Sequence, residues 1–152
     1  MHIFSQDDLT RKSAAELFPQ ARCAEGAVAG NWLLHGELDR AHKIAQEIET
    51  PEGSFWHAIM HRREPDAANS AYWFRRVGKH PLFPALRERV AVLLADFPGV
   101  KFALKSEWDP FAFGDFYEDA RRRPGSREKA FSDAVEQIEW ELLFDYCARP
   151  SE

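Results

Sequence analysis

The chain of 152 residues carries 20 Lys and Arg against 25 Asp and Glu, a formal net charge of −5, and is 45% hydrophobic and 30% charged. That length holds one domain with its own core and excludes two of ordinary size, while the composition excludes a disordered chain. Apolar runs of only a few residues exclude a bilayer-spanning helix, and the start MHIFSQDDLTRK lacks the apolar stretch of a secretory signal, so a cytoplasmic protein with no membrane partner is expected.

The pattern reads as helix almost throughout, with no sustained alternation of β-branched residues. After a short N-terminal segment, residues 21–35 place Ala24, Ala27, Val28 and Trp32 at helical spacing, and Gly36 ends the run. Residues 37–49 come next, with Leu38, Ala41, Ile44, Ala45 and Ile48 on one face. Thr50-Pro51-Glu52-Gly53 breaks the chain, and Ser54 is the expected N-cap of a third helix that stops before Pro65. Asp66 caps a fourth, which ends at Gly78. Pro84 starts a fifth, with Val90, Leu93, Leu94 and Phe97 buried along one side, closing at Pro98-Gly99.

Residues 99–125 differ in kind. Trp108, Phe111, Phe113, Phe116 and Tyr117 crowd a segment of weak periodicity, which predicts an ordered aromatic-rich connection with short helical pieces. Within it Asp109 should cap the residues just after it, and Arg121–Arg123 should form a cationic helix end. Ser126 then caps a last helix whose buried stripe is Phe131, Ala134, Val135, Ile138 and Leu142.

The charge is uneven. Residues 54–81 hold Arg62, Arg63, Arg75, Arg76 and Lys79 against Glu64 and Asp66, leaving +3 there and −8 elsewhere. Residues 132–152 hold six acids and only Arg149, so the basic helices either lie against an acidic one or offer an anion site. Glu136, Glu139 and Glu141 read as a solvated face. A net acidic chain without an extended basic tract is no candidate for nucleic acid. Cys23 and Cys147, 124 positions apart with no metal-ligand spacing, read as small buried thiols.

The chemistry concentrates in residues 55–80. At 100° per residue, Trp56, Ile59, Met60 and Arg63 share the buried face of the third helix, and His57, His61 and Glu64 share an adjoining one over about 10 Å of axis. On the fourth helix Ala67, Ser70, Ala71, Phe74 and Val77 form a packing face. Asn69, Trp73 and Arg76 make a polar-aromatic stripe beside it, and His80 comes just after. The two stripes would line one groove, with Glu64 paired to Arg76 in the purely structural reading. Arg62, Arg75, Arg76 and the histidines suit an anion. His57, His61 and Glu64 also have the composition of a two-histidine, one-carboxylate metal site, or of a general acid–base centre. No phosphate-binding glycine loop, nucleophile elbow or catalytic triad context is present.

The blocks FWHAIMHRREPD and NSAYWFRRVGKHP, with WDPF and EWELLFDYC, resemble an uncharacterised family of small bacterial and fungal proteins across most of residues 54–147. The resemblance implies a helical fold and carries no activity. Many members have glycine where Pro65 stands here, so this turn is the stiffer one.

The expectation is a single all-α domain over residues 1–152, of about seven helices. Two antiparallel pairs, 21–35 with 37–49 and 54–63 with 66–78, would stack in a tetratricopeptide-like way. The expected function is binding, without catalysis, of an anionic small ligand or acidic peptide between helices 54–63 and 66–78, through His57, His61, Glu64, Asn69, Trp73, Arg76 and His80. No cofactor is required by that reading. The alternative is a small hydrolytic enzyme, acid–base or dependent on a divalent transition metal, centred on His57, His61 and Glu64.

Overall fold

The computed structural model describes residues 3–151. In chain order these form α1 (Gln6–Arg11), α2 (Ala14–Leu17), α3 (Ala24–Leu34), α4 (Leu38–Ala45), α5 (Pro51–Arg63), α6 (Ala67–Val77), α7 (Phe83–Ala95), α8 (Pro110–Ala120) and α9 (Arg127–Ala148). The fold is all-α, with no strand among the described residues, and none of their helices is long and apolar enough to cross a membrane. The helices number nine among these residues, against about seven expected. The two additions, α1 and α2, are pieces of six and four residues, too short for hydrophobic periodicity to register. Their starts are held instead by caps at Ser5 and Ser13, the latter a reciprocal box with Glu16.

Both expected hairpins form: α3 packs on α4, and α5 on α6. Gly36, at φ 79°, closes α3 as its sequence position suggests. The α4 helix ends at Ala45, short of Glu49. There the N–H groups of Glu47 and Ile48 bond back three residues, to Ile44 and Ala45, and tighten the final turn.

The start of α5 corrects the sequence reading. Its N-cap is Thr50, and Pro51 takes the first turn, where a missing N–H costs nothing; Ser54 is buried inside the helix. Gly53 is what lets α5 begin so close to the end of α4. A Cβ at that position would lie 2.2 Å from the carbonyl oxygen of Ile48.

The aromatic segment also departs from expectation. Asp109 Oδ1 accepts from the N–H groups of Phe111 and Ala112, and Pro110 sits in the first turn, so residues 110–120 make one continuous helix. Its buried positions, Pro110, Phe113, Tyr117 and Ala120, do keep helical spacing. The rings of Phe111 and Phe116, off that stripe, blur the period in the sequence.

The last helix, α9, is the spine: 22 residues, about 33 Å. It packs against α3, α7 and α8. Its buried face is broader than the expected stripe and lies partly elsewhere. Phe131, Val135, Trp140, Leu143, Phe144 and Cys147 are buried, whereas Ala134, Ile138 and Leu142 are only half-buried. Trp140 stacks on Phe144 at 4.9 Å and meets Trp56 of α5 edge-on at 6.5 Å. Trp140 Nε1 donates to the carbonyl of Gly30 at 2.9 Å, a closeness that a side chain at residue 30 would block, since its Cβ would lie 2.8 Å from the Trp56 ring. On α7, Val90 is fully buried, while Leu93, Leu94 and, just past its end, Phe97 only lean on the core.

Candidate functional site

The histidines of α5 are brought together with a third from α4. His57 and His61 stand one turn apart, and the short link through Gly53 lays α4 across them. His42 thereby comes edge-on to both rings, with centroids 4.6 Å from His57 and 5.7 Å from His61. One nitrogen of each of the three imidazoles lies within 4.8 Å of the other two. The sequence reading misses His42, although a signal is present. Leu38, His42 and Ala45 fall at i, i+4 and i+7, the same spacing that marks the stripes of α5 and α6.

His57 is 3% exposed, and both of its ring nitrogens are buried without a hydrogen-bond partner among the described residues. A buried polar ring left unsatisfied on both sides is uncommon and calls for an occupant. Burial, with His42 and His61 beside it, pushes its pKa down to about 4. The ring is therefore neutral at pH 7, the form that ligates a metal ion. One face is covered by Trp73 of α6, whose ring lies 4.2 Å away at 31°. On the solvent side, His61 Nδ1 donates to Glu64 Oε2 at 3.2 Å, which leaves Nε2 with the lone pair. Glu64 thus takes the place of the outer carboxylate that orients a ligating imidazole, in contrast to the pairing with Arg76 that the spacing suggests.

The other site residues scatter. Asn69 is exposed: its Nδ2 donates to Asp66 Oδ2 at 2.8 Å, and its backbone N–H donates to Asp66 Oδ1, the cap of α6. Arg76 is exposed, its guanidinium 5.3 Å from the Trp73 ring and 5.9 Å from that of Tyr72. His80 lies apart from the cluster. Its Nδ1 accepts from Leu82 N–H at 3.1 Å and its Nε2 donates to Glu52 Oε2 at 2.7 Å, so one nitrogen is committed to the start of α7 and the other to the start of α5. That bond, ahead of the opposing effect of burial, holds the Glu52 carboxyl below its usual pKa. Between α5 and α6, Ser70 Oγ donates to Ala58 O at 2.7 Å and Phe74 packs on Phe55, so that seam is filled by packing.

Arg62 is not an anion receptor. It is 2% exposed, bonded to both oxygens of Glu139, and 3.0 Å from Glu136 Oε2. Phe113 and Tyr117 lie 4.9 and 5.0 Å from its guanidinium carbon. Arg63 adds a bond to Glu136 Oε1 at 3.0 Å. Glu136 and Glu139, expected on a solvated face, are buried partners of the basic helix; Glu141 remains near the surface with Arg89. Burial works against the Arg62 charge, but the two carboxylates outweigh it and raise its pKa.

Apart from the histidine cluster, a cavity opens at the far end of α6. It measures about 760 Å³ and lies between α6, α7 and the segment 105–111. Toward the chain ends, Cys23 N–H donates to Cys147 O at 2.9 Å, and both sulfurs border Gly26, each 2.8 Å from where its Cβ would stand. Burial is expected of both; Cys147 is buried, while Cys23 is partly exposed.

Comparison of the chain with family models, curated proteins and solved structures yields no match.

Proposed function

We propose that this protein holds one divalent transition-metal ion on His42, His57 and His61 and uses it for metal-assisted hydrolysis. The observation that carries the reading is the convergence of three imidazoles, the innermost of which has no protein partner for either nitrogen. Three protein nitrogens leave a fourth tetrahedral position open, the pattern of zinc sites that activate water rather than of closed structural ones. His42 is half-buried and His61 is 9% exposed, so the cluster meets the surface along its outer edge. Glu64 steadies His61, and Trp73 shields the inner ring. The expected two-histidine, one-carboxylate set becomes a three-histidine set with the carboxylate one shell out.

Metal analysis after loading with zinc or cobalt and gel filtration tests this. One equivalent per chain is expected in the native protein. His42→Ala and His57→Ala should each reduce affinity at least tenfold with helical circular dichroism unchanged. Native protein that retains no ion, or retains it equally in both variants, would end the reading. Loaded protein that hydrolyses no ester, phosphoester or amide in a broad panel would confine it to binding.

A further inference from the structure

We propose that the cleft between α6, α7 and residues 105–111 is a binding site for a small amphipathic carboxylate, independent of the histidine cluster. Its volume, about 760 Å³, is that of a small-molecule pocket. Phe74, Phe83, Pro84, Trp108 and Phe111 supply apolar walls. Phe111 is 42% exposed, a large ring held at the rim where burial does not explain it.

The charges at the cleft are partly cancelled from within. Arg87 pairs with Glu88 at 3.0 Å and Lys105 with Asp109 at 2.6 Å. Arg75 in the last turn of α6 and Lys79 just past its end line the same cleft and have no anionic partner among the described residues, while Glu107 is the one lining carboxylate without a cation there. Two free cations against one free acid favour an anionic group, and the apolar walls favour a hydrocarbon or aromatic body behind it. The indole N–H of Trp108 is sealed and also lacks a partner among the described residues, so the wall that carries it is a sensitive reporter of occupancy. Arg75 is among the arginines expected to meet an anion; the structure assigns it to this cleft rather than to the seam of α5 and α6.

Octanoate, with octanol as its uncharged counterpart, probes the site by proton–nitrogen NMR of the metal-free protein. The Trp108 indole resonance is identified by its loss in Trp108→Phe. Octanoate should saturate one site, moving that resonance and the amides of α6 and α7. The double variant R75Q/K79Q, altered only at exposed positions, should bind octanoate at least tenfold more weakly, and Ser106→Trp should block the cleft by bulk. Octanol should bind weakly, with no difference between native protein and the double variant. Octanoate that leaves Trp108 unmoved, binds the double variant equally well, or is matched by octanol would overturn the proposal. Loss of metal binding in a His42→Ala background should leave octanoate binding unchanged, so the two readings fail separately.

Discussion

Arg62 of α5 and Glu139 of α9 form an ion pair sealed from water, at 2% and 0% exposure. Neighbouring residues of one helix thus serve opposite ends: His61 faces the imidazole cluster while Arg62 ties α5 to the spine. A buried pair contributes little against an apolar replacement, but removing one partner strands a charge. Arg62→Met or Glu139→Leu alone should each lower unfolding free energy by about 3–5 kcal/mol, and the double variant should recover most of that loss. Urea unfolding of the four proteins in a double-mutant cycle measures it. Additive losses would show that the pair is not coupled.

The pH dependence stems from His57. Its folded-state pKa is about 4, whereas an unfolded histidine titrates near 6.5. Between these values the unfolded chain binds a proton that the folded chain refuses, so acid favours unfolding. The full stability is present above roughly pH 6.5 and declines as the pH falls toward 4, by at most about 3 kcal/mol. Thermal melts in chelator from pH 8 to 4 should show the decline, and His57→Phe should flatten that part of the curve. An unchanged slope in the variant would assign the acid sensitivity to other groups.

Gly53 is expected to be intolerant. In Gly53→Ala the new methyl meets the Ile48 carbonyl, so the turn that lays His42 over α5 must open. Stability should fall by about 1–3 kcal/mol, and cobalt affinity should fall with it. A variant as stable as the native protein, with its cobalt spectrum intact, would show that the close approach is dispensable.

The thiols of Cys23 and Cys147 flank Gly26 together. Cys23 is the more acidic of the two, chiefly because Cys147 hydrogen-bonds to it, while the Cys147 thiol is pushed up by that same bond and by burial. Mild oxidation with diamide should therefore join them within one chain, with loss of two hydrogens by mass. The closed loop should stabilise the fold by about 4–5 kcal/mol in the chain-entropy account. Dimers in place of an intrachain bridge, or a lowered melting temperature, would contradict this.

The parts of the fold legible in the sequence are those written by local chemistry. Gly36, Asp66, Asp109 and Ser126 mark boundaries because their caps and turns involve residues two to four positions away. Partners of Arg62 lie beyond reach, since the carboxylates that meet it are 74 and 77 positions distant. An acidic side chain on a helix looks the same in sequence whether it faces water or a buried guanidinium, which is why Glu139 reads wrongly as solvated. The site is half legible. The spacing of His57, His61 and Glu64 is visible, but His80 falls beside them only in sequence, and His42 enters through a hairpin whose closeness Gly53 sets.

All three imidazoles come from residues 42–61, a stretch of twenty. An ion seated there would cross-link a short local loop, joining neighbouring helices rather than distant parts of the chain. The aromatic core around α9 is assembled without it. Metal capture would therefore come after folding: the ion would be an exchangeable guest of a finished scaffold, and stripping it should leave a protein ready to be reloaded.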